Sequence, residues 1–175
     1  MNLEELKLLM KEGEGLTVEF KEKYTSKIDR DIVAFANTRG GVILLGVRDD
    51  EKIVGETLTN KLKSEIQDLA RNCEPSIHVK KISKLDKIVV VEIDEGDEKP
   101  YSCSSGYFRR LDAVPQKMSQ KEVRAIFKET SIVSFESLSV EDFTPGDVSL
   151  EKIKTFLREA RVSYGINKSN LISLL

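Results

Sequence analysis

The side chains of this chain that could do chemistry are mostly cations set among aromatic rings. Tyr101, Tyr107 and Phe108 are interleaved with Arg109 and Arg110, and Lys117 and Lys121 follow closely. This mixture suits a polyanion of nucleotides, because the cations hold phosphates while aromatic faces stack on bases. In a strand, Tyr107 and Arg109 share one face and Phe108 and Arg110 the other. One of those faces is expected to be core, which leaves one arginine to reach a ligand. A second basic group, Lys80, Lys81, Lys84 and Lys87, surrounds one turn and reads first as a solvated hairpin tip.

Asn37-Thr38-Arg39-Gly40-Gly41 admits two readings. Its backbone N–H groups could form a nest for phosphate, with Arg39 adding charge. Alternatively, the glycines permit a tight helix-to-strand turn and Asn37 caps the helix, with Arg39 left as an anion contact. The second reading is preferred for the glycines. A nucleotide-binding P-loop is excluded here, since no lysine follows Gly46 and both Gly41 and Gly46 fall in an apolar run. ATP binding would therefore require a further domain.

Other reactive types give little. Cys73 and Cys103 are far apart in sequence without CxxC spacing, and His78 is the single histidine, so a structural zinc site is not expected. The two cysteines read as buried or half-buried thiols in a reducing compartment. His78 lacks a triad-like neighbour, and Ser102, Ser104 and Ser105 lack an activating base.

The elements that must position these groups follow from periodicity. Leu3, Leu6, Leu9 and Met10 predict a short helix stopped near Gly13–Gly15. Residues 16–21 alternate as a half-buried strand, with Leu16, Val18 and Phe20 inward and Thr17, Glu19 and Lys21 on the outer face. Ser26 or Asp29 should cap a helix to about Asn37, with Ile28, Ile32, Phe35 and Ala36 inward. Val42 to Val47 is continuous enough for a central strand covered on both sides. Arg48 to Glu51 turns the chain, and residues 52–55 could return as a short strand. A helix over 60–71, strands near 77–82 and 87–93, and a hairpin of 101–103 with 107–110 come next. A helix capped by Ser119 then runs to about Lys128.

This order predicts an α+β sandwich, a mixed β-sheet with flanking helices and a C-terminal helical extension. Residues 1–130 read as the main domain, and 131–148 as a linker broken at Pro145-Gly146. Residues 149–175 read as the helical start of a further region, with one helix capped by Ser149 and another from about Asn167. The closing Leu174-Leu175 suggests a segment of a longer protein.

The chain has 175 residues, is 39% hydrophobic and 33% charged, and carries a net charge of −2. No apolar stretch approaches membrane-spanning length and the N-terminus is not a signal peptide, so a cytoplasmic location and no membrane partner are expected. The net charge excludes an all-over basic nucleic-acid binder. Any such binding must come from a local patch, because clustered cations drive counterion release.

Three blocks, EGEGLTVEFKEK, then DIVAFANTRGGVILLGVRDDEKIVG, then KPYSCSSGYFRRLDAVPQKMS, occur in order and together resemble the Schlafen/Alba-like domain family over roughly residues 1–130. In prokaryotes such a domain is similar to the N-terminal part of transcriptional regulators, followed by an ATPase-like or winged-helix domain. In animal Schlafen proteins the related core is a two-lobed RNA-cleaving nuclease. Its three acidic positions match Glu14, Glu19 and Asp49 of this sequence. The resemblance then implies Mg²⁺ or Mn²⁺ on those carboxylates, since both metals prefer oxygen ligands and activate water. The animal zinc motif has no counterpart here and only one lobe is present, which implies a homodimer in place of two lobes.

The expectation is thus a nucleic-acid-binding module of a transcriptional regulator, with DNA preferred to RNA and no cofactor needed. Lys21, Arg39, Arg48, Tyr107, Arg109 and Arg110 would form its contacts. The alternative is a metal-dependent endoribonuclease using Glu14, Glu19 and Asp49. A regulatory or dimerisation role without nucleic acid stands third.

Overall fold

The computed structural model describes residues 2–137 and 149–161, the stretch 131–137 as helical backbone only. The chain divides into two compact units, Met1–Ser134 and Phe135–Leu175.

The first unit opens with helix α1, Leu3–Glu12. The Asn2 side chain accepts from the Glu5 N–H and the Glu5 carboxylate accepts from the Asn2 N–H, a closed capping box. Gly13, at φ 78, ends the helix with its N–H on the Leu9 carbonyl. Strand β1, Val18–Lys21, follows. A single 3-10 turn, Ser26–Ile28, leads into α2, Asp29–Ala36. Neither Ser26 nor Asp29 caps this helix with its side chain; Ile28 holds the N-cap position and the preceding turn starts the helix. Strand β2, Gly41–Leu45, then pairs parallel to β1, closing a β-α-β unit.

Helix α3, Asn60–Arg71, begins where the Thr59 hydroxyl accepts from the Leu62 N–H. Strands β3, Val79–Leu85, and β4, Ile88–Ile93, form a hairpin around Asp86-Lys87, with Asp86 at φ 54. The main sheet has the order β1-β2-β4-β3, with β2–β4 and β4–β3 antiparallel. It is the expected mixed sheet. The proposed strand at 52–55 is reduced to one bridge, Ile53 to Val47, because Gly46 at φ 95 bends the chain away from a regular ladder.

A second, three-stranded sheet follows: β5 Ser102–Cys103, β6 Gly106–Leu111 and β7 Val114–Lys117. Periodicity gave no sign of β7, since Pro115 breaks it. Proline is tolerated because β7 lies at the edge of its sheet. Helix α4, Gln120–Ser137, continues nine residues beyond the expected end at Lys128. The Thr130 hydroxyl turns back onto the Ile126 carbonyl, so its polar group is satisfied inside the helix. The first seven residues of the expected linker are therefore helical, and 138–148 lie outside the described residues.

Side chains of β1, β2 and β4 alternate between two cores. On one face Val18, Phe20, Leu44, Val47, Ile88 and Val90 pack with Leu6 of α1. Leu16, expected to share that face, lies before the strand and is exposed. On the other face Ile43, Leu45, Val89, Val91 and Ile93 meet α2 and α3, and Tyr101 and Phe108 of the small-sheet region join the same core. Helix α2 thus lies between two sheets, and every residue from Asp31 to Ala36 is buried.

In the second unit the Ser149 hydroxyl accepts from the Lys152 N–H and starts α5, Leu150–Glu159. Its residues are all at least partly exposed. The helix expected from about Asn167 lies outside the described residues. Among the described residues no helix is long and apolar enough to cross a membrane.

Candidate functional site

The parallel pair β1 and β2 ends with Lys21 opposite Leu45, and the N–H groups of Gly46 and Val47 both donate to the Lys21 carbonyl. The loop from Lys21 to α2 and the loop that begins at Arg48 therefore emerge together. The carboxyl ends of parallel strands beside a helix N-terminus are a common setting for ligands. Glu14 joins them, because its Oε1 accepts from the Phe20 N–H at 2.9 Å.

Beneath this rim lies a group of buried charges. Glu19 was expected on an outer face, yet it is only 4% exposed, since α2 and the small sheet cover that face. One of its carboxylate oxygens is held by the Lys21 ammonium and the other by the Arg110 guanidinium. Arg110, expected at a phosphate surface, is also buried. Its Nη2 donates to the carbonyls of Gly15 at 2.5 Å and Val18 at 3.1 Å, and its guanidinium lies 4.8 Å over the Phe35 ring. The inward face of β6 is thus Phe108 and Arg110, and the guanidinium is consumed by a bridge from the small sheet to β1.

Asp31 of α2 completes the cluster. It is 3% exposed, and its Oδ2 lies 3.8 Å from the Lys21 ammonium. Among the described residues, Asp31 Oδ1 and Arg110 Nε have no hydrogen-bond partner. Burial pushes the Asp31 carboxyl up to about 6; Lys21 and Arg110 pull it down, while Glu19 and Asp29 raise it. For Lys21, burial disfavours the charge, but Asp31 and Glu19 outweigh it and hold the ammonium above its ordinary value. The Lys21 side chain is still 31% exposed, so it connects the buried cluster to solvent.

Asp31 was absent from the sequence-based candidates. The available signal was its spacing: three residues after Ile28 and four before Phe35, it sits in the apolar stripe of α2.

The three carboxylates of the nuclease alternative share one neighbourhood without forming a ligand set. Burial raises the Glu14 carboxyl, the Phe20 N–H opposes it, and the charges of Glu19 and Asp49 add to the rise. Asp49 is exposed. Glu19 has both oxygens on cations, and among the described residues no group of three His, Cys, Asp or Glu side chains is placed to hold a metal. The residues as arranged do not fit Mg²⁺ or Mn²⁺.

Of the remaining cations, Arg39 is exposed at the α2–β2 turn with no ion pair among the described residues. Arg48 Nε lies 3.5 Å from Asp50 Oδ1, and Lys52 reaches the same carboxylate at 3.0 Å. Arg109 faces away from the core but pairs with Glu122 of α4 at 2.6 Å. Tyr107 meets the Phe127 ring edge-on at 6.4 Å, so its outer face is engaged by α4. Lys80 pairs with Asp94, whereas Lys81, Lys84 and Lys87 are exposed.

The Asn37–Gly41 turn is architectural. The N–H groups of Thr38 and Gly40 both donate to the Phe35 carbonyl, so neither is free for phosphate. Gly40 has φ 70, and a Cβ there would lie 2.6 Å from the Ile93 carbonyl oxygen. Asn37 does more than end a helix. Its Nδ2 donates to the Tyr101 and Phe108 carbonyls, both at 2.8 Å, and its Oδ1 accepts from the Tyr101 N–H at 2.7 Å. The Thr38 hydroxyl accepts from the Arg110 N–H at 3.0 Å. This turn therefore fastens the small sheet to α2 and positions Arg110.

Comparison with known proteins gives one family match, to the family described as Schlafen, AlbA_2, over residues 14–119. No curated protein matches the chain. Among solved structures, the DIP2311 protein from Corynebacterium diphtheriae is similar with a TM-score of 0.50 at 17% identity. The alignment covers 90% of this chain and 32% of that one, so this chain spans about a third of that length. At that identity the likeness is one of fold.

Proposed function

The chain belongs to the Schlafen, AlbA_2 family, and from that premise we propose that it is a nucleic-acid-binding module of a transcriptional regulator, binding DNA in preference to RNA as a homodimer. The family supports a nucleic-acid-related role. The observation that carries the proposal is the family match over residues 14–119, which encloses Lys21, Arg39, Arg48 and the small sheet. Exposure sorts the contacts. Arg39, Arg48 and the half-exposed Lys21 are available to phosphate oxygens, whereas Arg110 acts from within by fixing Glu19 and, through it, Lys21. Tyr107 and Arg109 contact nucleic acid only where α4 leaves them accessible.

Binding to labelled DNA and RNA, followed by anisotropy at about 50 mM and about 200 mM salt, tests the reading. Affinity should fall steeply with salt. Arg39→Ala and Arg48→Ala should each flatten the logarithmic salt slope by about 0.9 for a lost duplex phosphate contact. An affinity that ignores salt would sink the proposal. Metal-dependent cleavage of the RNA, lost in Glu19→Gln, would replace it with the nuclease alternative. Sedimentation of the free chain checks the dimer.

A further inference from the structure

Cys73 and Cys103 are 30 positions apart in sequence, but the fold brings their backbones together. Glu74 and Ser102 form an antiparallel bridge and exchange both hydrogen bonds, with Glu74 N–H on the Ser102 carbonyl at 2.9 Å and Ser102 N–H on the Glu74 carbonyl at 2.7 Å. In an antiparallel ladder the neighbours of such a pair form the closer, non-hydrogen-bonded pair, with Cα atoms about 4.5 Å apart and side chains on one face. One step out from Glu74 and Ser102 stand Cys73 and Cys103. The bridge is isolated and the Cys73 N–H turns back to the Ala70 carbonyl, so the ladder value is the ideal for this register; disulfides accept about 4.4 to 6.8 Å.

Three further observations bear on the pair. Cys73 belongs to the core on the α2 side of the main sheet, and Cys103 packs against that same core. Each thiol donates to a carbonyl of its own segment, Cys73 to Leu69 and Cys103 to Gly106, and Cys103 also lies within hydrogen-bond reach of the Asp29 carboxylate. Burial pushes the Cys73 thiol up to about 12, with the Cys103 sulfur its next contributor, which places the two within electrostatic reach.

We propose that Cys73 and Cys103 form a redox-reactive dithiol that closes to an intramolecular disulfide by exchange with a small-molecule disulfide, stapling the end of α3 to β5. Cys103, half-buried, is the accessible sulfur; Cys73 is 3% exposed. The Cys103 thiolate attacks one sulfur of a disulfide such as oxidised glutathione, forming a mixed disulfide and releasing one glutathione thiolate. The Cys73 thiolate then attacks the Cys103 sulfur, the protein disulfide forms, and the second glutathione thiolate leaves. Two protein thiols are oxidised, one glutathione disulfide is reduced to two thiols, and the two protons go to solvent or to the departing thiolates. Burial raises both thiols, so closure is slow at neutral pH and accelerates about tenfold per pH unit while the thiolate fraction grows.

The test is intact-mass and peptide mapping of the whole chain after exposure to oxidised glutathione over a range of mildly alkaline pH. The expected product has lost the mass of two hydrogens, retains no glutathione, and yields a linked peptide pair containing Cys73 and Cys103 that dithiothreitol separates. The Cys73→Ser variant should instead trap a glutathione adduct on Cys103. A wild-type chain that keeps such an adduct, leaves both thiols open to alkylation in the folded state, or forms only covalent dimers would overturn the proposal. The wild-type map decides the matter even where Cys73→Ser folds poorly.

Discussion

Replacing Asp31 with Asn removes the one carboxyl among the described residues that burial pushes far from its ordinary value. The groups facing it are Lys21 and Glu19 on β1, Arg110 on β6 and Asp29 on its own helix. In the unfolded chain the carboxyl titrates near 3.8, and in the folded chain at about 6. Below the lower value it is protonated in both states and sets no difference between them. As pH rises through the interval the unfolded chain ionises first, so the folded state progressively loses stability; above the upper value the loss is complete. The interval of a little over two pH units, at about 1.4 kcal/mol each, comes to about 3 kcal/mol. Asparagine does not titrate, so the stability of Asp31→Asn relative to wild type should rise by about 3 kcal/mol from about pH 3.5 to about pH 7. Any fixed packing or hydrogen-bond cost of the amide shifts the whole curve without changing that rise. Urea unfolding of both proteins at a series of pH values measures it. A stability difference that stays level across the series would refute both the buried charge of Asp31 and its partial compensation by Lys21.

Arg110→Met strands Glu19 and the carbonyls of Gly15 and Val18, and should cost about 3 to 5 kcal/mol by urea unfolding. Adding Glu19→Gln should restore part of that loss, since the double variant no longer buries a carboxylate that has lost one of its two cations. Asn37→Ala breaks the three hydrogen bonds that hold Tyr101 and Phe108, and should cost at least about 2 kcal/mol in the same assay.

The sequence made the inward face of β1 at Val18 and Phe20, the two-sided burial of β2, the turn after Ala36 and the full extent of α3 legible, because periodicity and glycine placement report local backbone directly. It also showed that Phe108 and Arg110 share a face opposite Arg109. What it could not show was which sheet covers which face. Glu19 reads as solvent-facing when β1 is taken alone and becomes buried only because the small sheet, some ninety residues later, lies over α2 and supplies Arg110. Asp31 was missed for the same reason: an acid in an apolar stripe needs a partner from elsewhere, and Lys21 is ten residues away on another element. Strand β7 was hidden by a proline that only an edge position permits.

Helix α2 is eight residues long, too short to hold its shape in water by itself. It is also a shared wall: the main sheet packs on one side, and the small sheet hangs on the other through Asn37, Thr38 and the core contact of Phe108. Neither sheet keeps its inner face covered if the helix melts, and the helix has no lasting form without both sheets. The two sheets are therefore a single cooperative folding unit, and no cut between them leaves two stable halves.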